Sequence, residues 1–493
     1  MTLGRQAFLV GALCWLPTIG GSLSGQAPPP RPEGLLLPEV SFEAPLEQAT
    51  ERRLSNGVRL VIVEDDTLPL FDLAAALPVG EILDGPQSLG VAATVGALLR
   101  RGGAGKRSAD AFDRAIDRAG FSASSVGGFR RSGVTLGGLS ERLSEGVSLF
   151  VSMLTAPRFE EAEVRRFRDG LRRSLERRGD SPSGALDREW RWLMHGEEGL
   201  AARQLRPADL ERLDRAALLD FHRRCYRPEQ TVIAVSGAVS ADDVVQRFEE
   251  ALGAWTASGD CKAVAGLELS PAKPGLRVLD APLRQAQIVL GHAGARRVSW
   301  DDRESWALLV LDEVLAGSGA VSRLGSRLRA REGLVYQVQA TFGIGSRDEG
   351  LFEIVCVTDP PRVGRVVDLI VEELRRLQSQ QVPALELDLA QRSLLDSLPL
   401  LFETSEAIAG RLAEDLLLDR PHTYWSLYAE RIRAVTAADV QRVAQRFLSP
   451  GQLRGIVVGS AGPILESLQS STSQQTPAVV LPGRDPLTLK RLD

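Results

Sequence analysis

The sequence predicts an α+β protein made of two homologous mixed α/β domains joined by a linker, and two internal offsets carry that expectation. The run Phe221-His-Arg-Arg-Cys-Tyr-Arg-Pro228, followed by an apolar Thr231–Gly237, parallels Val443-Ala-Gln-Arg-Phe-Leu-Ser-Pro450 followed by Arg454–Gly459, with the prolines 222 positions apart. The strand-like pairs that open each half, near Val58 and Leu276, stand 218 apart. Near-equal offsets at both ends fit one duplicated domain, because solenoid repeats have periods of roughly 20–50 residues.

Composition agrees. A chain of 493 residues exceeds one ordinary core. Its 44% hydrophobic and 25% charged content is that of a globular protein. A net charge of −5 gives no basic excess of the kind nucleic-acid binders show. Cysteines stand only at 14, 225, 261 and 356 with no CxxC pair, which argues against thiolate zinc and allows at most one disulfide outside the leader.

Residues 1–27 read as an export leader: Arg5 gives the positive start, Ala7 to Ile19 the apolar run, and Gly25-Gln-Ala27 a small-residue cleavage site. The alternative, a membrane anchor, is weaker because the run is shorter than the ~20 residues a span needs. A cleaved leader leaves no stable membrane span and places the protein in the periplasm or outside the cell. Residues 28–44 form a Pro-rich spacer, 45–255 the first domain, 256–275 a linker, 276–468 the second domain and 469–493 a flexible tail.

In the first half, strands are expected at Leu60–Val63, after the turn Ser55-Asn-Gly57, and at Phe71–Val79. An amphipathic helix runs from its cap Ser108 to Ala119 and stops at Gly120. Meander strands at Ser122–Val126 and Arg131–Gly138 precede helices at Arg142–Leu154 and Glu160–Arg178, the latter heavily basic and exposed. Further helices cover Leu186–Met194, Pro207–Leu213 and Arg215–Cys225, and a strand at Thr231–Gly237 leads into a helix at Asp242–Leu252. The second half repeats the pattern with strands at Arg277–Leu279, Gln285–Gly291 and Gly350–Val357. Its helices are expected at Asp302–Leu315, Arg362–Leu377, Ala384–Leu395 and Glu406–Leu417.

The stretch Ser88–Gly103 reads as a short, mostly apolar helix entered from Gly85-Pro86 and ended by Gly102-Gly103. Its frame resembles the metal-binding helix of the pitrilysin/insulinase zinc peptidases, which carry the inverted motif H-x-x-E-H. The two His positions fall on Ala93 and Ala97 and the Glu on Gly96. The family's distal Glu ligand precedes a basic, Asp-Pro-containing stretch. Here that stretch is Leu175-Glu-Arg-Arg-Gly-Asp-Ser-Pro182, and the ligand position falls on Ser174, 77 residues after Ala97. Glu176 is two residues off and points elsewhere on the helix. In the second half, Leu315–Leu324 and Leu328-Arg-Ala-Arg-Glu-Gly-Leu-Val-Tyr336 resemble the family's S-R-L and L-R-E-x-x-G-L-x-Y runs. The motif's Arg and Tyr fall on Arg329 and Tyr336.

The resemblance covers nearly all of 45–465 and is closest to the short two-domain branch that includes mitochondrial processing peptidase. It implies the insulinase-type fold and a pseudoenzyme lacking its zinc motif. The implied function is that of the non-zinc subunit of an exported heterodimeric metallopeptidase, inactive alone. A homologous H-x-x-E-H partner would bring zinc, while Arg329 and Tyr336 stabilise the substrate carbonyl or oxyanion across the chamber. No cofactor is expected in this chain. The alternative is a non-enzymatic peptide-binding or scaffold protein of the same fold. An unrecognised hydrolase site is a third reading.

The residues themselves agree with a lost metal site. Zinc needs three or four N, O or S donors, and His195, His222, His292 and His422 include no i, i+4 pair. His195 matches a structural His of relatives, His222 and His422 read as ordinary helix or loop histidines, and His292 follows a strand. Gly317-Ser-Gly319 lacks the GK[ST] of a phosphate loop. No G-x-S-x-G elbow with a credible His occurs. Gly127-Gly128 and Gly137-Gly138 read as turn and edge glycines. The ligand pocket is expected to be empty, so Ala93→His, Gly96→Glu, Ala97→His and Ser174→Glu together are expected to restore metal binding, with activity needing further support.

Overall fold

Continuous apolar runs write the central strands of both sheets of this chain. The computed structural model describes residues 44–261, 267–317, 321–471, 478–485 and 487–492. The expected leader, nearly all of the Pro-rich spacer and Ser318-Gly319 of the glycine-rich run lie outside the described residues. The first half supplies β1 (Thr50–Arg53), β2 (Arg59–Glu64), β3 (Leu70–Leu77), β4 (Ser122–Gly127), β5 (Ser132–Leu139) and β6 (Val232–Gly237). They form one six-stranded sheet in the order β1-β2-β6-β3-β5-β4. The second half supplies β7 (Gly275–Asp280), β8 (Ala286–Ala293), β9 (Ala295–Arg296), β10 (Val335–Phe342), β11 (Ile344–Gly345), β12 (Leu351–Thr358), β13 (Arg454–Gly459) and β14 (Ala478–Leu481). Its six-stranded sheet runs β10-β12-β8-β13-β7-β14, with β9 and β11 a short parallel pair beside it.

Five strands of each sheet follow the same plan. The pair β2–β6 is parallel, as is β7–β13, and each inner strand that follows is antiparallel. The echoed runs explain why. In each half a helix (Arg215–Cys225 or Ala437–Phe447) ends before a proline-led 3-10 turn that feeds the central parallel strand. Only the outer strand differs: β1 is antiparallel to β2 and precedes it, whereas β14 is parallel to β7 and comes from the far C-terminus.

Both faces of the central strands are covered, which is why they read as unbroken apolar runs. Leu60, Ile62, Ile233 and Val235 join the first-half core, while Val61, Val63, Val232 and Ala234 join the second-half core. The covering element on that second face is the helix Ser405–Leu417, which lies on β3 and β6. Ser405 Oγ donates to Asp72 Oδ2 at 2.7 Å, and Arg59 donates to the Leu416 carbonyl at 2.9 Å. The exchange is mutual. The helix Pro182–His195 lies on β8 and β13, with Leu186, Trp190, Leu193 and Met194 packed on Val289, Ile456 and Val458. Trp190 Nε1 donates to the Glu353 carboxylate. Each half thus completes the other's core, at ~25 cal/mol per Å² of apolar surface buried.

A disulfide joins Cys225 to Cys261 across a separation of 36 residues, and Cys356 is buried and free, its thiol pushed up to about 12 by burial. The segment expected as a flexible tail instead carries structure at 478–492. Pairing explains it: Ala478–Leu481 extend the sheet along β7, and Arg484 and Arg491 both donate to Glu189 while the Arg484 guanidinium sits 4.1 Å from the centre of the Trp192 ring. Among the described residues no helix is long and apolar enough to cross a membrane.

Candidate functional site

The helix Val91–Arg101 begins where its sequence lets the chain turn. Gly90 takes the left-handed conformation (φ 87°) that a Cβ disfavours, and Asp84 accepts from the Gly90 and Ala92 amides at 2.8 and 3.0 Å. Burial pushes the Asp84 carboxyl up to about 7, against the pull of those two amides. Arg203 fixes the loop from outside, donating to the Asp84 and Glu81 carbonyls at 2.7 and 3.0 Å.

One face of this helix lies directly on β4. A Cβ on Gly96 would stand 2.3 Å from Gly127 Cα and 2.5 Å from its amide nitrogen, and one on Gly127 would stand 2.9 Å from Ala93 Cα. Ser125 seals the contact: its Oγ accepts from the Arg100 amide at 3.1 Å and donates to the Ala97 carbonyl at 3.4 Å. Gly96 is buried and Ala93 and Ala97 are half-buried, while Ser174 is exposed on the helix Glu161–Glu176. Without side chains at 96 and 127, helix and strand backbones close on each other, so position 96 has no room for a side chain. The expected fourfold restoration is corrected at that position, since a Glu at 96 would collide with backbone that cannot rotate away.

Arg329 and Tyr336 behave in the opposite way. Leu324 and Leu328 bury one side of the irregular helical segment Gly325–Arg331, which leaves Arg329 exposed. Gly333 then turns the chain at φ 59°, and the Leu334 amide donates to the Leu328 carbonyl at 2.8 Å. A bulge between Val335 and Val338 lets Tyr336 and Gln337 both point outward. Tyr336 is 81% exposed on the outermost strand β10, and the Arg329 guanidinium carbon lies 5.2 Å from its ring centre. The pair is brought together at the surface, with the guanidinium set against the phenol ring.

Comparison with known proteins bears on this arrangement. Residues 212–394 match the family model described as "Peptidase M16 inactive domain". An uncharacterized zinc protease of Mycobacterium tuberculosis is 27% identical over 315 residues, which is 63% of this chain and 70% of that one. A probable mitochondrial-processing peptidase subunit beta of Arabidopsis thaliana is 24% identical over 66% of this chain and 62% of its own length. The fold is shared with a peptidase M16 inactive domain from Pseudomonas fluorescens, at TM-score 0.74, 22% identity and coverage of 84% of this chain and 98% of that one. The chain is similar in sequence and fold to insulinase-type (M16) peptidases. It also shares its fold with the periplasmic protease PqqL of Escherichia coli, at TM-score 0.75 and 16% identity, over 90% of this chain and 49% of that one.

Set against zinc, the M16-type positions of this chain do not fit the ion. Ala93, Gly96 and Ala97 offer no side-chain donor, Ser174 offers one hydroxyl, and among the described residues no three His, Cys, Asp or Glu side chains are grouped to hold a metal. The histidines sit in four different settings. His222 is buried, bonds the Leu154 carbonyl through Nε2 at 2.9 Å, stacks on Tyr226, and is pushed down to about 4 by burial, so it stays neutral. His292 lies within β8 rather than after it. Its Nδ1 bonds the Ala293 carbonyl at 2.6 Å and its Nε2 accepts from the Ser449 amide at 3.1 Å, leaving no lone pair for a metal. His422 pairs with Glu51 at 2.8 Å, and burial holds His195 below the ordinary range.

The basic helix at 161–176 also departs from expectation at its end. Arg178, read as exposed, is half-buried and donates to the Leu205 carbonyl. No local pattern in the sequence marks it, because the covering segment around Leu205 comes from 27 residues further on.

Proposed function

We propose that this chain is the non-zinc subunit of an exported two-subunit M16-type peptidase, which holds peptide for a partner that carries H-x-x-E-H and the distal Glu. The observation that supports it most is the surface pair Arg329 and Tyr336, set side by side on one face of the second half, while the first half's helix is closed against β4. The metal and its water would come with the partner. The part of this chain is to hold the substrate. Arg329 donates from a fixed positive charge to a carbonyl oxygen that gains negative charge during attack, and the Tyr336 hydroxyl adds a second donor. Export is supported by the Cys225–Cys261 bond, since disulfides persist in oxidising compartments.

The test mixes the purified chain with an H-x-x-E-H relative and an unstructured peptide. Cleavage is expected only in the mixture, with kcat lowered roughly 10²-fold by Arg329→Ala, the cost of one oxyanion donor, and less by Tyr336→Phe. Cleavage that is indifferent to both substitutions removes the proposed role. Peptide binding without cleavage in any mixture would point to the scaffold reading instead.

A further inference from the structure

We infer that Arg178 and Arg188 form a receiving site for an oxyanion, a carboxylate or a phosphate, beside the entrance of the helix Val91–Arg101. Arg178 sits in the turn Arg178–Asp180 and Arg188 on the following helix Pro182–His195. Both are half-buried. Arg178 spends one terminal nitrogen on the Leu205 carbonyl, while its other, Nη1, is buried with no partner. Among the described residues it is the one terminal guanidinium nitrogen left so; the other arginines in that condition lack a partner only at Nε. Arg188 spends Nη1 on the Gly184 carbonyl of its own helix at 3.1 Å, and its Nε is buried and unpaired.

Among the described residues neither arginine makes an ion pair. The acids nearest Arg188 are taken: Asp187 by Arg191 at 3.0 Å, and Glu189 by Arg484 and Arg491 at 2.9 and 2.8 Å. Burial, and repulsion from Arg188, push Arg178 down to about 10. Two like charges half out of water, with a buried N–H group unmet, form an arrangement whose free energy falls when an anionic acceptor arrives, because hydrogen bonds to charged donors are the strong ones. Position gives the pair its meaning. Leu205, which Arg178 holds, lies 2.8 Å from where a Cβ of Gly90 would stand, so the pair adjoins the start of the helix at whose frame relatives place a cation. Here the positive charge is built from guanidinium groups, which take oxyanions as ligands.

The experiment follows thermal unfolding of the full chain at fixed ionic strength against three probes: inorganic phosphate, acetate, and a peptide as free acid and as C-terminal amide. Phosphate or the free-acid peptide is expected to raise the melting temperature saturably. The rise should shrink at least fivefold in Arg178→Gln and in Arg188→Gln, and persist in the exposed control Arg173→Gln. Without anion, Arg178→Gln should melt no lower than the wild type, because the repulsion is gone. A response to the free acid and not the amide identifies a peptide carboxylate as the ligand, and a response to phosphate alone identifies a free anion. If Arg178→Gln fails to fold, the wild-type titration and Arg188→Gln decide. No saturable rise with any probe, or an equal rise in both variants, overturns the site.

Discussion

The helix–strand contact in the first half and the Arg–Tyr pair in the second occupy comparable places, each beside the strand at one edge of its sheet, and they have gone opposite ways. Beside β4 the side chains have been stripped to Ala93, Gly96, Ala97 and Gly127, and backbone meets backbone. Beside β10, the irregular turn and the bulge hold two large polar side chains in solvent. Loss of ligands alone would leave a hole. Here helix and strand backbones meet at Gly96 and Gly127 instead, while the second half keeps a polar pair in solvent.

The largest test of that contrast is Gly96→Glu. It should cost about 3 kcal/mol or more by forcing β4 off the helix, whereas Tyr336→Ala at its exposed site should stay within about 0.5 kcal/mol; urea denaturation of both variants measures the difference. Equal costs would mean that the first half is no more closed than the second.

Next in size is the covalent tie. Replacing Cys225 and Cys261 by Ala should cost up to about 4 kcal/mol on the chain-entropy account for a loop of this length, read as a drop in melting temperature. An unchanged melting temperature would remove the bond from the account of stability and weaken the export reading.

The third prediction concerns pH. Asp84 has a folded pKa raised to about 7 from 3.8, so between those values the folded chain holds a proton that the unfolded chain has released. Its contribution therefore falls as pH rises from about 4 to 7 and is level above, by up to about 1.4 kcal/mol per pH unit. The stability of wild type minus Asp84→Asn, followed by denaturation across that window, should slope downward. A rising difference would mean that the two amide bonds outweigh burial.

Smallest of all should be the effect of Arg329→Ala on stability, within about 0.5 kcal/mol, because its contact with Tyr336 is exposed. A large loss would make the pair structural rather than a holder of peptide.

Much of the frame was legible because local rules wrote it. Ser108 caps its helix through a bond to the Ala111 amide and Gly120 ends it at φ 67°, as the residue types foretold. The proline-marked echo led to the two central parallel strands. What escaped depends on distant partners or on broken periodicity. The strand β10 was hidden because its bulge puts Tyr336 and Gln337 on the same side and spoils the alternation. The order of β14 was hidden because Ala478–Leu481 is short and flanked by tail-like composition, while its neighbour β7 lies some 200 residues back. The close approach of helix and β4 could not be read at all, since Gly96 and Gly127 reveal nothing singly; only their meeting does.

The central claim is that this chain holds polypeptide without a metal centre of its own. Purified alone, supplied with zinc and an unstructured peptide, it should retain no stoichiometric zinc after desalting and produce no cleavage. Hydrolysis by the solitary chain that a chelator abolishes would contradict the account.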